Sequence, residues 1–142
     1  MIYANGNVNL NGIIINPLIK KDIFLEKTSE LNPEEIYIFG SRVRYSIDNI
    51  LFLNVNYIVS VVFQDEFLIY IELLPFDKEI ENKINVFTNE NQMRNKLIND
   101  YLLKSLFGSS EKLYFPWGSI ESIADTRSGM SYISISYKNS NH

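Results

Sequence analysis

Carboxylates are the side chains of this sequence best placed to do chemistry or recognition. Asp65, Glu66, Glu72, Asp77, Glu79 and Glu81 all fall within one short stretch. Gathered on one edge, such a group imitates a phosphate backbone and steers a basic protein into contact. Spread over a loop and a helix end, it is a solvated acidic face. The segment "FDKEIEN" lacks the Asp-x-Asp-x-Asp-Gly pattern of a calcium-binding loop. Glu72 interrupts an apolar run. Facing inward it needs a cation, and Arg42 or Arg44 on a neighbouring strand can supply one; facing outward it marks the solvent side of an outer strand. A catalytic role would call for a second carboxylate at a readable spacing, which the sequence does not offer.

A second candidate is the pentapeptide Asp125-Thr126-Arg127-Ser128-Gly129, between two alternating runs. Arg127 can donate a bidentate pair to a carboxylate or phosphate, making this a recognition tip with Asp125. The same residues make a hairpin bend, with Asp125 accepting from the turn backbone and Gly129 free to take positive φ. Trp117, the only tryptophan, is either a binding anchor or a filler between the last helix and a sheet, its indole N–H finding a carbonyl.

Other chemistries lack their residues. Without cysteine there are no disulfides, thiolate nucleophiles or iron–sulfur ligands. The one histidine, His142, is the last residue, where chain ends fray, so Ser-His catalysis and histidine metal sites are not expected. Gly-rich phosphate loops, nucleophile elbows and HExxH are absent from the sequence. Catalytic, metal and cofactor-binding residues are therefore expected to be none, and an enzyme is not expected. The set left for partner binding is the six carboxylates with Trp117, Asp125 and Arg127.

The net charge is −4, unevenly placed. Positions 65–90 hold seven Asp/Glu against two Lys/Arg, whereas 91–142 hold four against six. A nucleic-acid binder would carry a basic field, so direct contact with nucleic acid is not expected and a basic protein partner is. With 142 residues and 46% hydrophobic content, the chain suits one domain over 1–142 with a sizeable core. No apolar run reaches the roughly 20 residues of a membrane span. The start "MIYANGNVNLNG" has neither the basic nor the apolar region of a signal peptide. A cytoplasmic location is expected.

The elements that must position these residues follow from periodicity. "VNLNGIIIN" reads as a short strand or hairpin turning at Gly12. Asn16-Pro17 reads as a helix start, with Leu18, Ile19, Ile23 and Phe24 along one side, ending before Asn32-Pro33. Val43, Tyr45 and Ile47 alternate as a strand, with Asp48-Asn49 as a turn. "ILFLNVNYIVSVVF" and "FLIYIELL" are near-continuous apolar runs, expected as strands covered on both faces around a Gln64-Asp65-Glu66 loop. From Thr88 or Asn89 a helix runs to Gly108, with Met93, Leu97, Tyr101 and Leu106 as its core stripe, joined by Ile98 and Leu102. Ser119–Ala124 and Ser131–Tyr137 close the chain as a hairpin. The fold class is α+β: a mainly antiparallel sheet, meander plus C-terminal hairpin, with two helices packed on one face.

Taken with the lack of a catalytic set, the stretches "NQMRNKLINDYLLKSLFG" and "PWGSIESIADTRSGMSYISISY" give the C-terminal third a general resemblance to small bacterial immunity proteins of contact-dependent inhibition and other polymorphic toxin systems. The resemblance implies a stoichiometric inhibitor that blocks a cognate toxin domain, often a nuclease, with no chemistry of its own. Two other readings stay open. A type III secretion chaperone, also small and acidic, would form a two-fold dimer with exposed apolar patches. An enzyme using carboxylate, tyrosine or lysine chemistry would show a deep pocket with at least two convergent titratable groups.

Overall fold

The computed structural model describes residues 1–76 and 89–141. Asp77, Glu79 and Glu81 therefore lie outside the described residues, as do Thr88 and His142. Among the described residues, nine strands and two helices make an α+β fold dominated by antiparallel sheet. Seven strands form the main sheet: β3 (Glu34–Phe39), β4 (Arg42–Phe52), β5 (Val55–Gln64), β6 (Phe67–Pro75), β7 (Leu113–Phe115), β8 (Gly118–Asp125) and β9 (Met130–Tyr137), in the order β3-β4-β5-β6-β9-β8-β7. The meander supplies one half and the C-terminal hairpin the other. They join where β6 pairs with β9, Ile71 opposite Ile135 and Leu73 opposite Ile133.

Period-2 alternation decides which face is buried. Tyr45, Val61, Ile71, Ile135 and Ile120 form one row across five strands, and Ile47, Val59, Leu73 and Ile133 the next; all are buried. The expectation that β5 and β6 are covered on both faces holds only in part: on the opposite side Val62 is fully buried. Their opposite sides carry Ile58, Ser60, Tyr70, Glu72 and Leu74, which are only part-buried. Both helices and the small N-terminal sheet sit on the first face. That small sheet is β1 (Val8–Leu10) paired with β2 (Ile13–Ile15) through a turn at Asn11 and Gly12, both at positive φ.

The first helix, α1 (Lys21–Lys27), is shorter than the sequence suggests. Asn16 does not cap it; its Oδ1 accepts from the Leu18 amide at 3.0 Å, a local turn. The chain then runs extended along the start of β6, where Lys20 bridges to Phe67 and the Lys21 amide donates to the Glu66 carbonyl. Leu18 and Ile23 are thereby exposed, and only Ile19 and Phe24 reach the core, Phe24 against Tyr45 and Phe63. Asp48-Asn49 is likewise no turn. Asn49 takes positive φ in a bulge within β4, and the strand continues to a two-residue turn at Leu53-Asn54, both at positive φ as a type I′ turn requires. The bulge is held by Asn11, whose Nδ2 donates to the Asn49 carbonyl and whose Oδ1 accepts from the Leu51 amide. "ILFLNVNYIVSVVF" is thus the end of one strand and the whole of the next.

The second helix, α2 (Asn89–Phe107), ends at Gly108, whose positive φ and amide bond to the Lys104 carbonyl close it. Its burial divides the expected stripe, with Leu102 in the core and Ile98 and Leu106 packed against it but the other three members outside. Leu102 and Leu103 are in the core, but Asn91, Asn95 and Asn99 are also buried, whereas Met93, Leu97 and Tyr101 are 67%, 69% and 70% exposed. Polar groups on the sheet meet Asn99 and Gln92 on this inner side. The Asn99 amide oxygen accepts from the Tyr57 hydroxyl at 3.1 Å, the Ser131 hydroxyl donates to the Gln92 carbonyl, and the Gln92 side chain donates to the Asp125 carbonyl.

The C-terminal hairpin also holds the N-terminal segment. Trp117 stacks on Phe115, leans on Tyr137 and donates its indole N–H to the Ala4 carbonyl at 2.7 Å, while the Tyr137 hydroxyl donates to the Gly6 carbonyl. At the start of β8, a Cβ on Gly118 would collide with the Ser136 carbonyl oxygen on the paired strand. Backbone cannot move aside cheaply, so Gly118→Ala is expected to cost about 3 kcal/mol, read as a lowered midpoint in equilibrium urea unfolding.

Candidate functional site

The six candidate residues among the described residues do not converge on one site. Asp65 and Glu66 occupy the β5–β6 turn, Asp65 at positive φ with its amide on the Ser41 carbonyl and Glu66 in a 3.5 Å ion pair with Lys20. Glu72 lies six residues further along β6, about 20 Å away at the rise of a strand, in the middle of the sheet. The expected acidic edge is therefore not formed by these three. Glu72 combines both readings made for it: it stands on the solvent side, and it has a cation, Arg44, at 3.3 Å across the intervening strand. Each side chain keeps about a quarter of its exposure. Trp117 is a packing residue, against the N-terminal segment rather than between a helix and the sheet.

Asp125 is committed to the bend. Its Oδ1 accepts from the Arg127 amide at 2.9 Å and its carbonyl accepts from the Gly129 amide. The Arg127 amide bond is the main cause holding this carboxyl below its usual range, with the Ser128 bonds and the Arg127 charge adding to it against a smaller desolvation effect. The carbonyl also accepts from Gln92, tying the hairpin to the first turn of α2. Arg127 itself is exposed at the tip.

Two surfaces that no single motif announced are built by the fold. The first is the open face of the main sheet. Antiparallel register lines up Arg44, Val62, Tyr70, Ser136 and Ser119 in one row and Ser46, Ser60, Glu72, Ser134 and Glu121 in the next. Tyr132 lies beside them on β9, and Tyr114 stands 76% exposed at the β7 edge. Six strand spacings make this face about 29 Å wide. Two ion pairs lie on it, Arg44 with Glu72 and Lys112 with Glu121. Partial burial, and then the Glu72, Asp125 and Glu121 carboxylates and Tyr70, raise the Tyr132 phenol above its ordinary value, so it stays a neutral hydrogen-bond donor.

The second is the outward stripe of α2. Beside it lies an apolar cleft of about 260 Å³ between α2 and the tip of the β4–β5 hairpin, lined by Phe52, Leu53, Val55, Tyr57, Leu97, Ile98, Tyr101 and Leu102. Tyr57 and Tyr101 are its titratable members, and burial pushes the Tyr57 phenol up. A second, more polar hollow is framed by Phe39, Gly40, Ser41, Arg42 and Gln64, with Arg42 bonded to Gln64. Among the described residues, no three His, Cys, Asp or Glu side chains converge on a position for a metal ion. No helix among them is long and apolar enough to cross a membrane.

Alternation in β8 and β9 was the signal for the open face, but its rows become contiguous only through the β6–β9 pairing, which links segments some sixty residues apart. No family model, curated protein or solved structure matches the chain.

Two measurements check this account of local forces. Tyr57→Phe leaves the buried Asn99 oxygen without its hydroxyl donor and is expected to cost about 1–3 kcal/mol in chemical unfolding. Asp125→Asn keeps an acceptor but removes the ionisation. Because the folded-state value is depressed, its contribution is present above the ordinary carboxylate range and is lost as pH falls through the depressed value. The variant should therefore melt below the parent at neutral pH, with the gap closing in acid.

Proposed function

We propose that this chain is an immunity-type protein, binding a cognate bacterial toxin domain and silencing it by covering its working surface. The observation that carries the reading is the open sheet face, rich in serine and tyrosine and held on rigid strands. Tyrosine offers large amphipathic contact area at low entropic cost, and serine offers adaptable hydrogen bonds; binding loops selected for protein recognition favour the same two residues. Paired charges such as Arg44–Glu72 give such a surface register without a net field. Long-range steering of a basic partner falls instead to the net charge of −4.

The test uses the C-terminal domain of whatever protein is encoded immediately upstream of this chain's gene. Expressed alone, that domain should arrest growth; co-expressed with this chain, it should not. Tyr70→Ala combined with Tyr132→Ala should weaken the complex at least about a hundredfold, as expected for central aromatic anchors, with the fold unchanged by circular dichroism. Full affinity in that double variant would move the contact off the sheet face. Growth arrest unrelieved by the native chain would end the immunity reading.

A further inference from the structure

From the outward face of α2 we infer that this chain pairs with a second copy of itself, helix against antiparallel helix, about a two-fold axis at Leu97. Met93, Leu97 and Tyr101 form a continuous apolar stripe, each about two-thirds exposed, on a helix that turns its asparagines inward. Leu53, 47% exposed on the neighbouring hairpin tip, widens the patch across the apolar cleft. An apolar strip this long on a helix surface marks an interaction site.

The identity of the occupant comes from symmetry of position and charge. Met93 and Tyr101 stand four residues to either side of Leu97, and Glu90 and Lys104 stand seven to either side. All five fall within about 80° of arc at 100° per residue. The sevenfold spacing keeps Glu90, Leu97 and Lys104 nearly parallel to the helix axis. Reversed onto a second copy at a shallow crossing of about 20°, Leu97 meets Leu97, Met93 meets Tyr101, and Glu90 meets Lys104 at both ends. Both charged side chains are exposed. The surface is self-complementary, which an isologous contact requires. It lies on the side of the sheet opposite the Tyr70 and Tyr132 rows, so this pairing stands or falls separately from the proposed toxin contact.

Sedimentation velocity of the full chain across a wide concentration range should show a reversible monomer–dimer equilibrium. Leu97→Asp puts two carboxylates face to face at the axis and should raise the dissociation constant at least about a hundredfold. Glu90→Lys and Lys104→Glu each convert both end contacts to repulsion and should weaken the dimer about tenfold. An equimolar mixture of those two variants should regain parental affinity, because every end contact is then again between opposite charges. The charge variants touch only solvent-facing side chains, so they decide the matter even where Leu97→Asp disturbs the fold. A parent chain that stays monomeric at all concentrations, its stripe left to a different protein, would overturn the inference. So would a dimer indifferent to Leu97→Asp, or a mixture no tighter than either variant alone.

Discussion

One-sided burial of the seven-stranded sheet is the constraint from which the other features follow. A strand turns alternate side chains to opposite faces, so a sheet covered on one side only must sort its residues in two along every strand. Here the sorting survives register shifts in the middle of the meander. The bulge at Asn49 and the shift between Val62 and Phe63 each reset the alternation, so Ile50 and Phe52 return to the core face after Ile47, and Leu68 lies opposite Phe63. With that face committed, the helices and the β1–β2 hairpin have one place to go, and the opposite face mixes polar side chains with Ile58, Leu74 and the fully buried Val62.

Polar contacts and apolar packing together set the orientation of α2, with Leu102 and Leu103 in the core beside the buried asparagines. Its inner side meets the Ser131 and Tyr57 hydroxyls and the Asp125 carbonyl, groups that need partners once water is excluded. Of the three buried asparagines, Asn99 meets the sheet directly at the Tyr57 hydroxyl, while Gln92 serves Ser131 through its carbonyl and Asp125 through its side chain. The helix thus resolves a conflict between two demands of the core, and it does so at the cost of leaving its greasiest side chains wet.

The strands were legible wherever alternation was strict, as at Val43, Tyr45 and Ile47 or along Ser131–Tyr137. The Asp125 bend was legible because its residues carry their own turn chemistry. Two failures have physical causes. Asn49 has the composition of a turn but serves a bulge braced from afar by Asn11, while the true turn uses Leu53, a residue with no preference for positive φ. In α2, asparagines and apolar residues both recur every four positions, so periodicity gives two stripes, and the one hydrophobicity picks is only partly buried. The open sheet face was half legible: its serines and tyrosines are visible as the polar phase of each strand, but their assembly into rows depends on a long-range pairing that no local pattern encodes.

At Gly6 the backbone lies so close beneath the Trp117 ring that a Cβ there would come within 2.7 Å of the indole Cδ2. The lone indole of the molecule is therefore seated at the junction between its first residues and its last hairpin, capped by backbone on one side and by aromatic rings on the other. Its emission is a built-in optical gauge of that junction. Loosening of the N-terminal segment would register as a red shift from wetter indole, even while α2 and the meander remained folded.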